Sequence, residues 1–367
     1  MSKNRKPSKG YLAMPQKPTR PIMVKKSQEI IPLVSMLDHM VDGREYESLI
    51  RLKGVNVNPV EDIRIALREI ASIRNRPNVA YVANVVNPKI RASKSIDNTD
   101  DLPFSELINS IPITEKHIDI VLVTPGGSGP QVAKFVDKLR PRFDTVAFII
   151  PNVAMSAGTM FVMSGDDIIM NPGSYIGPID PQVLNKDGVF VPAQSILTLI
   201  DEIQRRGQAL VGRGMNPDWT DLQILRQMDP KEIGNAMNAS KYSIDMVENY
   251  LHEYKFRNWT NHSDGRPVTS TEKRETAHRI ADLFCDHSVW RNHGRGIPRE
   301  SAWEVCRLKI THAESIPNLD RAMRRFWALC NWVSENTPMY KMFMSDSYTL
   351  FRNENILNQN NGKATNP

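Results

Sequence analysis

The 367-residue chain has only three cysteines, Cys285, Cys306 and Cys330, an odd number, widely spaced and without a CxxC pair or a neighbouring ligand histidine. That pattern argues against a disulfide framework and a structural zinc site. Long apolar runs are also missing. The purely aliphatic or aromatic stretches, such as Val146 to Ile150, stop at about five residues, where a membrane-spanning helix needs roughly twenty. The N-terminus carries basic residues but no apolar h-region, so a secretory signal is not expected and a cytoplasmic location is. Acidic residues are absent from positions 1–26, which hold eight Lys or Arg; without those eight the net charge of +6 becomes −2. The basicity therefore belongs to one Pro- and Lys-rich arm. It reads first as a disordered solvated tail and second as a weak tether to nucleic-acid phosphates or an acidic lipid surface.

What is present is a balanced globular composition, 40% apolar and 24% charged, over a length that suits one large α/β domain or one and a half domains. Residues 27–77 show helical spacing and read as a lead-in. From Asn78 the pattern alternates. Val79 to Val86 is β-branched and aromatic, a helix comes next at Phe104 to Ile111, then a strand at Ile118 to Val123 and the turn Thr124-Pro125-Gly126-Gly127-Ser128-Gly129. A helix from Pro130 to Arg140, strands at Thr145 to Ile150 and Asp167 to Met170, and a small-residue helix beginning near Ser156 complete the series. Alternation at this spacing predicts βαβ units and a mainly parallel sheet, hence an α/β fold. Downstream, helices are expected at 193–206, 218–228, 240–257, 271–284 and 299–307. Residues 311–352 read as a helical C-terminal extension, with a Trp- and Met-rich satellite core, and 353–367 as a disordered polar tail.

In parallel sheets, chemistry sits in the loops at the carboxyl ends of strands, and both small-residue turns, at 124–129 and 151–158, fall there. Ser156 opens a helix through Ala157, Gly158 and Thr159. One account is an N-cap, its hydroxyl satisfying an orphan amide. The other is a nucleophile beside which the Gly127, Ser128 and Ala157 amides form an oxyanion hole. The glycine pair also suits a plain tight turn, while a phosphate loop is poorly supported without GxxxxGK[ST] or a full GxGxxG.

Thr124-Pro125-Gly126-Gly127, Ala154 to Thr159 and Gly177-Pro178-Ile179-Asp180-Pro181-Gln182 together resemble the serine dehydrogenase-type serine proteinase family of the ClpP/crotonase superfamily, close to the SppA group. The likeness covers roughly residues 78–310. It extends to Val191 to Ser195 and to His293-Gly294-Arg295. It implies a ClpP/crotonase-like spiral with helical additions at both ends, a serine-type endopeptidase with Ser156 as nucleophile, Gly127, Ser128 and Ala157 as amide donors, a peptide or protein substrate, and a homo-oligomer; no metal or cofactor is expected, since no ligand cluster or phosphate loop stands out. ClpP places a histidine about 25 residues after its serine, and Ile176 to Gln182 contains none. The SppA-like branch implies a lysine base instead.

Lys241 is the candidate on separate grounds. It lies three residues before Ile244 on the stripe Ile244, Val247, Leu251, Tyr254, and burial there would lower an amine from about 10.4 toward neutrality. The rival bases are His293, in its His-Gly-Arg-Gly loop, and Lys186, in an exposed Asn-Lys-Asp-Gly turn. The competing functions are a crotonase-like acyl-thioester enzyme that holds an enolate on the same amides, and a non-catalytic scaffold.

Overall fold

The computed structural model describes residues 33–52 and 54–354. The expectations for residues 1–26 and for nearly all of 353–367 lie outside these. Eleven strands occur among the described residues: β1 (Asn78–Ala83), β2 (His117–Val123), β3 (Thr145–Ile150), β4 (Val153–Ala154), β5 (Asp167–Met170), β6 (Tyr175–Ile176), β7 (Gln182–Leu184), β8 (Phe190–Pro192), β9 (Thr311–His312), β10 (Met339–Met344) and β11 (Thr349–Asn353). The main sheet runs in the order β11-β10-β1-β2-β3-β5-β9. It is parallel from β1 to β9, with β10 and β11 antiparallel at one edge.

Both faces of this sheet are covered, which is why its parallel strands read as near-continuous apolar runs. Alternate residues go to opposite sides. Tyr81, Ile120, Leu122, Phe148 and Ile168 pack under the helices Asp101–Asn109, Gly129–Leu139, Ala157–Met163 and Ser270–Cys285. Ala80, Val82, Val121, Ile149 and Ile169 pack on the helices Pro59–Arg74 and Leu319–Asn336. The Pro59–Arg74 helix shows how local signals serve this packing. Asn58 accepts the Glu61 amide, Pro59 opens the first turn where no N–H is needed, and Asn75 ends the helix at φ 51°. Between them Ile63, Ala66, Leu67 and Ile70 form one buried stripe, and burying Leu67 or Ile70 contributes about 1.5–3 kcal/mol each.

A second row of short pairings lies above the carboxyl ends of the strands. Ile96 pairs with Gly127, Thr124 with Ala154, β4 with β6, and Ile176 with Ile297. This row brings together five segments separated in sequence, and the candidate site is built on it.

Three expectations are corrected. The 311–352 region is not wholly helical: only Leu319–Asn336 is a long helix, and β10 and β11 extend the main sheet. A register shift between Met339 and Lys341 breaks the two-residue alternation that would have marked β10 in the sequence. The Trp- and Met-rich segment is no satellite, since Phe326, Met342 and Met344 are buried in the core beneath the sheet. The helix expected at 240–257 begins at Pro230, capped by Asp229, and passes into a π turn at Leu251–Lys255.

Candidate active site

Ser156 stands between β4 and the Ala157–Met163 helix with φ 51° and ψ −118°, outside the comfortable range of an L-residue. Such a backbone costs about 1–3 kcal/mol and persists only where neighbours over-determine it. They do so here. Thr124 N–H donates to Val153 C=O at 3.0 Å and Met155 N–H to Thr124 C=O at 3.1 Å, tying the two turns together. Gly158 N–H donates to Met155 C=O at 2.7 Å. Although Ser156 holds the N-cap position, its hydroxyl makes no capping bond and has no partner among the described residues. The residue is half-buried.

The glycine turn lies directly against it. A Cβ on Gly126 would fall 2.8 Å from Ser156 Cβ and 2.7 Å from Met155 O, so only a glycine permits the approach. Gly126 and Gly127 take φ 102° and 143°, a backbone that side chains resist. The Gly127 and Ala157 amides have no hydrogen-bond acceptor among the described residues. Ser128 differs from expectation: its N–H is committed to Ile96 C=O at 2.8 Å, and its hydroxyl caps the Gln131 amide. It has no amide to offer a ligand.

Neither candidate lysine is buried. Lys241 is exposed, because the inward face of its helix runs through Ala236, Ser240, Ser243 and Val247. The burial on which its candidacy rested is therefore absent. Lys186 is exposed in the β7–β8 turn, as anticipated. Burial does push Lys255 below the ordinary lysine range, opposed by Asp167 at 3.4 Å, but Asp167 begins β5 and so marks the opposite end of the sheet.

The histidine, unlike either lysine, sits in a loop tied to a strand that leads toward Ser156. β6 leads into Gly177, whose Cβ, if present, would lie 3.2 Å from Ser156 N, and Thr159 Oγ1 accepts the Gly177 amide at 2.8 Å. Three residues on, Asp180 is buried. His293 Nδ1 lies 2.7 Å from Asp180 Oδ1, and His287 Nδ1 3.4 Å from Oδ2. The His293 loop is held to β6 by reciprocal bonds between Ile176 and Ile297 at 3.1 and 2.7 Å. A carboxylate on Nδ1 fixes the tautomer that leaves Nε2 as proton acceptor. Asp180 was not singled out in the sequence; its signal was a lone acid inside Pro-Ile-Asp-Pro.

A second charged cluster flanks the other end of the row. Lys341 Nζ lies 2.8 Å from Asp100 Oδ2 and 3.3 Å from Asp97 Oδ2, and Arg352 Nη1 3.1 Å from Asp100 Oδ1. Tyr81 donates its hydroxyl to Asp100 at 3.0 Å, and burial together with that carboxylate pushes the phenol well above its usual range.

Residues 91–209 match the family model of the ClpP-like SDH-type serine proteinase. Two relatives from Methanocaldococcus jannaschii are similar to the chain. The uncharacterized protein MJ0137 is 32% identical over 57% of this chain and 70% of its own, and the uncharacterized protein MJ1495 is 26% identical over 46% and 54%. Among solved structures, a mutant of the 1510-N membrane-bound stomatin-specific protease with a substrate peptide is similar over 59% of this chain and 70% of that one, at 16% identity and a TM-score of 0.34. The ClpP protease catalytic domain from Plasmodium falciparum is similar over 32% and 59%, at 18% identity and a TM-score of 0.23. No helix among the described residues is long and apolar enough to cross a membrane. From the extent of its likeness to MJ0137 and the family match over the residues that build the two turns, this chain belongs to the ClpP-like SDH-type serine proteinase family.

Proposed function

We propose that the protein is a serine endopeptidase in which Ser156 is the nucleophile, His293 the general base and Asp180 its orienting partner. Ser156 Oγ attacks the scissile carbonyl carbon while its proton passes to His293 Nε2. The Asp180 carboxylate stays ionised and steadies the imidazolium through Nδ1–H. The carbonyl oxygen gathers negative charge between the Gly127 and Ala157 amides. His293 then returns the proton to the leaving amine, and a water, deprotonated by the same imidazole, releases the acyl group. The observation that carries this reading is the strained Ser156, its hydroxyl uncommitted, packed against the glycine turn beside two unpaired amides.

A peptide substrate and a homo-oligomer belong to the same proposal. Leu184, Phe190, Val211, Met215 and Trp219, on the β7–β8 hairpin and on the helices and loop after it, are all exposed and would suit coverage by a second copy. Light scattering of the full chain tests this, and a strict monomer at high concentration rejects it.

A serine-directed fluorophosphonate tests the chemistry. Wild type is expected to label and Ser156→Ala not to, with His293→Ala slowed about 10²–10⁴-fold. Folded wild-type protein that stays unlabelled rejects the peptidase and favours enolate chemistry on the same amides.

A further inference from the structure

The glycine turn is clamped by a segment the reaction does not touch. Ile96 N–H donates to Gly126 C=O at 2.7 Å and Ile96 C=O accepts from Ser128 N–H at 2.8 Å, so the Gly127 peptide is gripped on either side. A Cβ on Gly127 would sit 2.3 Å from Ile96 O, which shows how closely the two backbones meet. Ile96 in turn is fixed by the residues directly after it. Asp97 to Asp100 form a single turn with reciprocal caps, Thr99 N–H to Asp97 Oδ1 at 2.9 Å and Asp97 N–H to Asp100 Oδ2 at 3.1 Å. Both carboxylates face Lys341, which is 1% exposed and stands opposite Ala83 in the β1–β10 pairing.

A buried ion pair does not by itself account for stability, because desolvation often cancels its attraction and a well-packed apolar replacement is frequently neutral. Geometry is what this cluster supplies. Lys341 reaches the turn carrying Asp97 and Asp100 from another part of the sheet, and that turn adjoins the only residue bonded to both sides of Gly127 among the described residues.

We infer that Lys341, acting with Asp97 and Asp100, is a positioning residue for peptide cleavage: it locks segment 96–100 and, through Ile96, aims the Gly127 N–H at the reacting carbonyl oxygen. The inference rests on the proposed roles of Ser156 and Gly127. Its test is the fluorophosphonate labelling rate of the full chain carrying Lys341→Met, Gly127→Ala or both, with circular dichroism to establish folding. Loss of one oxyanion donor costs about 10²–10³-fold, so folded K341M is expected to label at least about tenfold more slowly. Gly127→Ala parts the same two backbones from the other side, so the double variant is expected to label no more slowly than the slower single. Wild-type labelling by folded K341M, or losses that multiply in the double variant, overturn the inference. Should K341M fail to fold, Asp97→Asn at the partly exposed edge of the cluster replaces it: slower labelling supports the inference and an unchanged rate overturns it. Labelling that persists in Ser156→Ala would instead overturn the proposed nucleophile, so the two failures are distinguishable.

Discussion

The row of short pairings that carries the site ends in two charged clusters of unlike design. At one end a single buried carboxylate, Asp180, meets two imidazoles, each side chain about a quarter exposed. At the other, Asp97 and Asp100 meet an ammonium, a guanidinium and a phenol, with Asp100 and Lys341 almost wholly buried. An imidazole held on one nitrogen can pass a proton on the other. A cluster of fixed ion pairs and hydrogen bonds has no such freedom, and what it can do is hold a shape. The difference teaches that titratable groups beside a site divide into those that move charge and those that place backbone. Burial and partner type tell them apart better than proximity does.

The largest effect that would break this division concerns the imidazole end. Asp180→Asn, which keeps the shape and removes the charge, is expected to slow fluorophosphonate labelling about 10²–10⁴-fold, while Lys241→Ala stays within about twofold of wild type. The reverse order would return the base to a lysine.

A smaller effect is expected where the two turns touch. A Cβ on Gly158 would lie 2.4 Å from Thr124 Cγ2, so Gly158→Ala is expected to destabilise by about 1–3 kcal/mol in urea unfolding. Thr124→Ser deletes that methyl yet keeps the oxygen that accepts the Gly126 amide at 3.1 Å. The pair T124S/G158A should therefore recover much of the loss, and additive losses would mean that the strain lies elsewhere.

The ion-paired end makes a pH prediction. Burial raises the Asp97 carboxyl, but the hydrogen bonds from Thr99 and the charge of Lys341 outweigh it, and the net shift is downward from 3.8. A carboxylate depressed in the folded state stabilises fully above its unfolded value, and that share is lost as pH falls through the lower folded value. The stability difference between wild type and Asp97→Asn should accordingly be constant near neutrality and shrink below about pH 3.8, read from urea midpoints. A difference that widens on acidification contradicts this sign.

The smallest effect is an absence of reaction. Burial pushes the thiols of Cys285 and Cys306 up to about 12 and raises that of Cys330 as well. Native protein at pH 8 is expected to resist iodoacetamide over hours and to react at all three thiols once unfolded, counted by mass spectrometry.

Much of this was legible in the sequence because it is local. Strands β3 and β5 were expected at their observed limits, since β-branched runs bounded by turn residues suffice to mark them. Ser156 and the glycine pair stood out because each motif is contiguous and comes directly after a strand. His293 stood out as a rival base, but its pairing with Asp180 was not legible: the two are 113 positions apart, and nothing in either neighbourhood points to the other. Lys241 was misplaced because Ser240 and Ser243 are buried in the inward face of the helix. Reading them as polar turned the predicted stripe by about one residue, which is roughly 100° on a helix. Lys341 was hidden by the irregular start of β10.

The placement of Lys341 on a late strand also orders events during synthesis. A nascent chain can emerge with the 156 hydroxyl and its glycine neighbours already made, while the strand that anchors segment 96–100 is still inside the ribosome. With Lys341 as the proposed anchor, the Gly127 amide is set in place only when β10 has zipped onto β1. A growing polypeptide thereby carries the strained serine before the amide beside it is aimed.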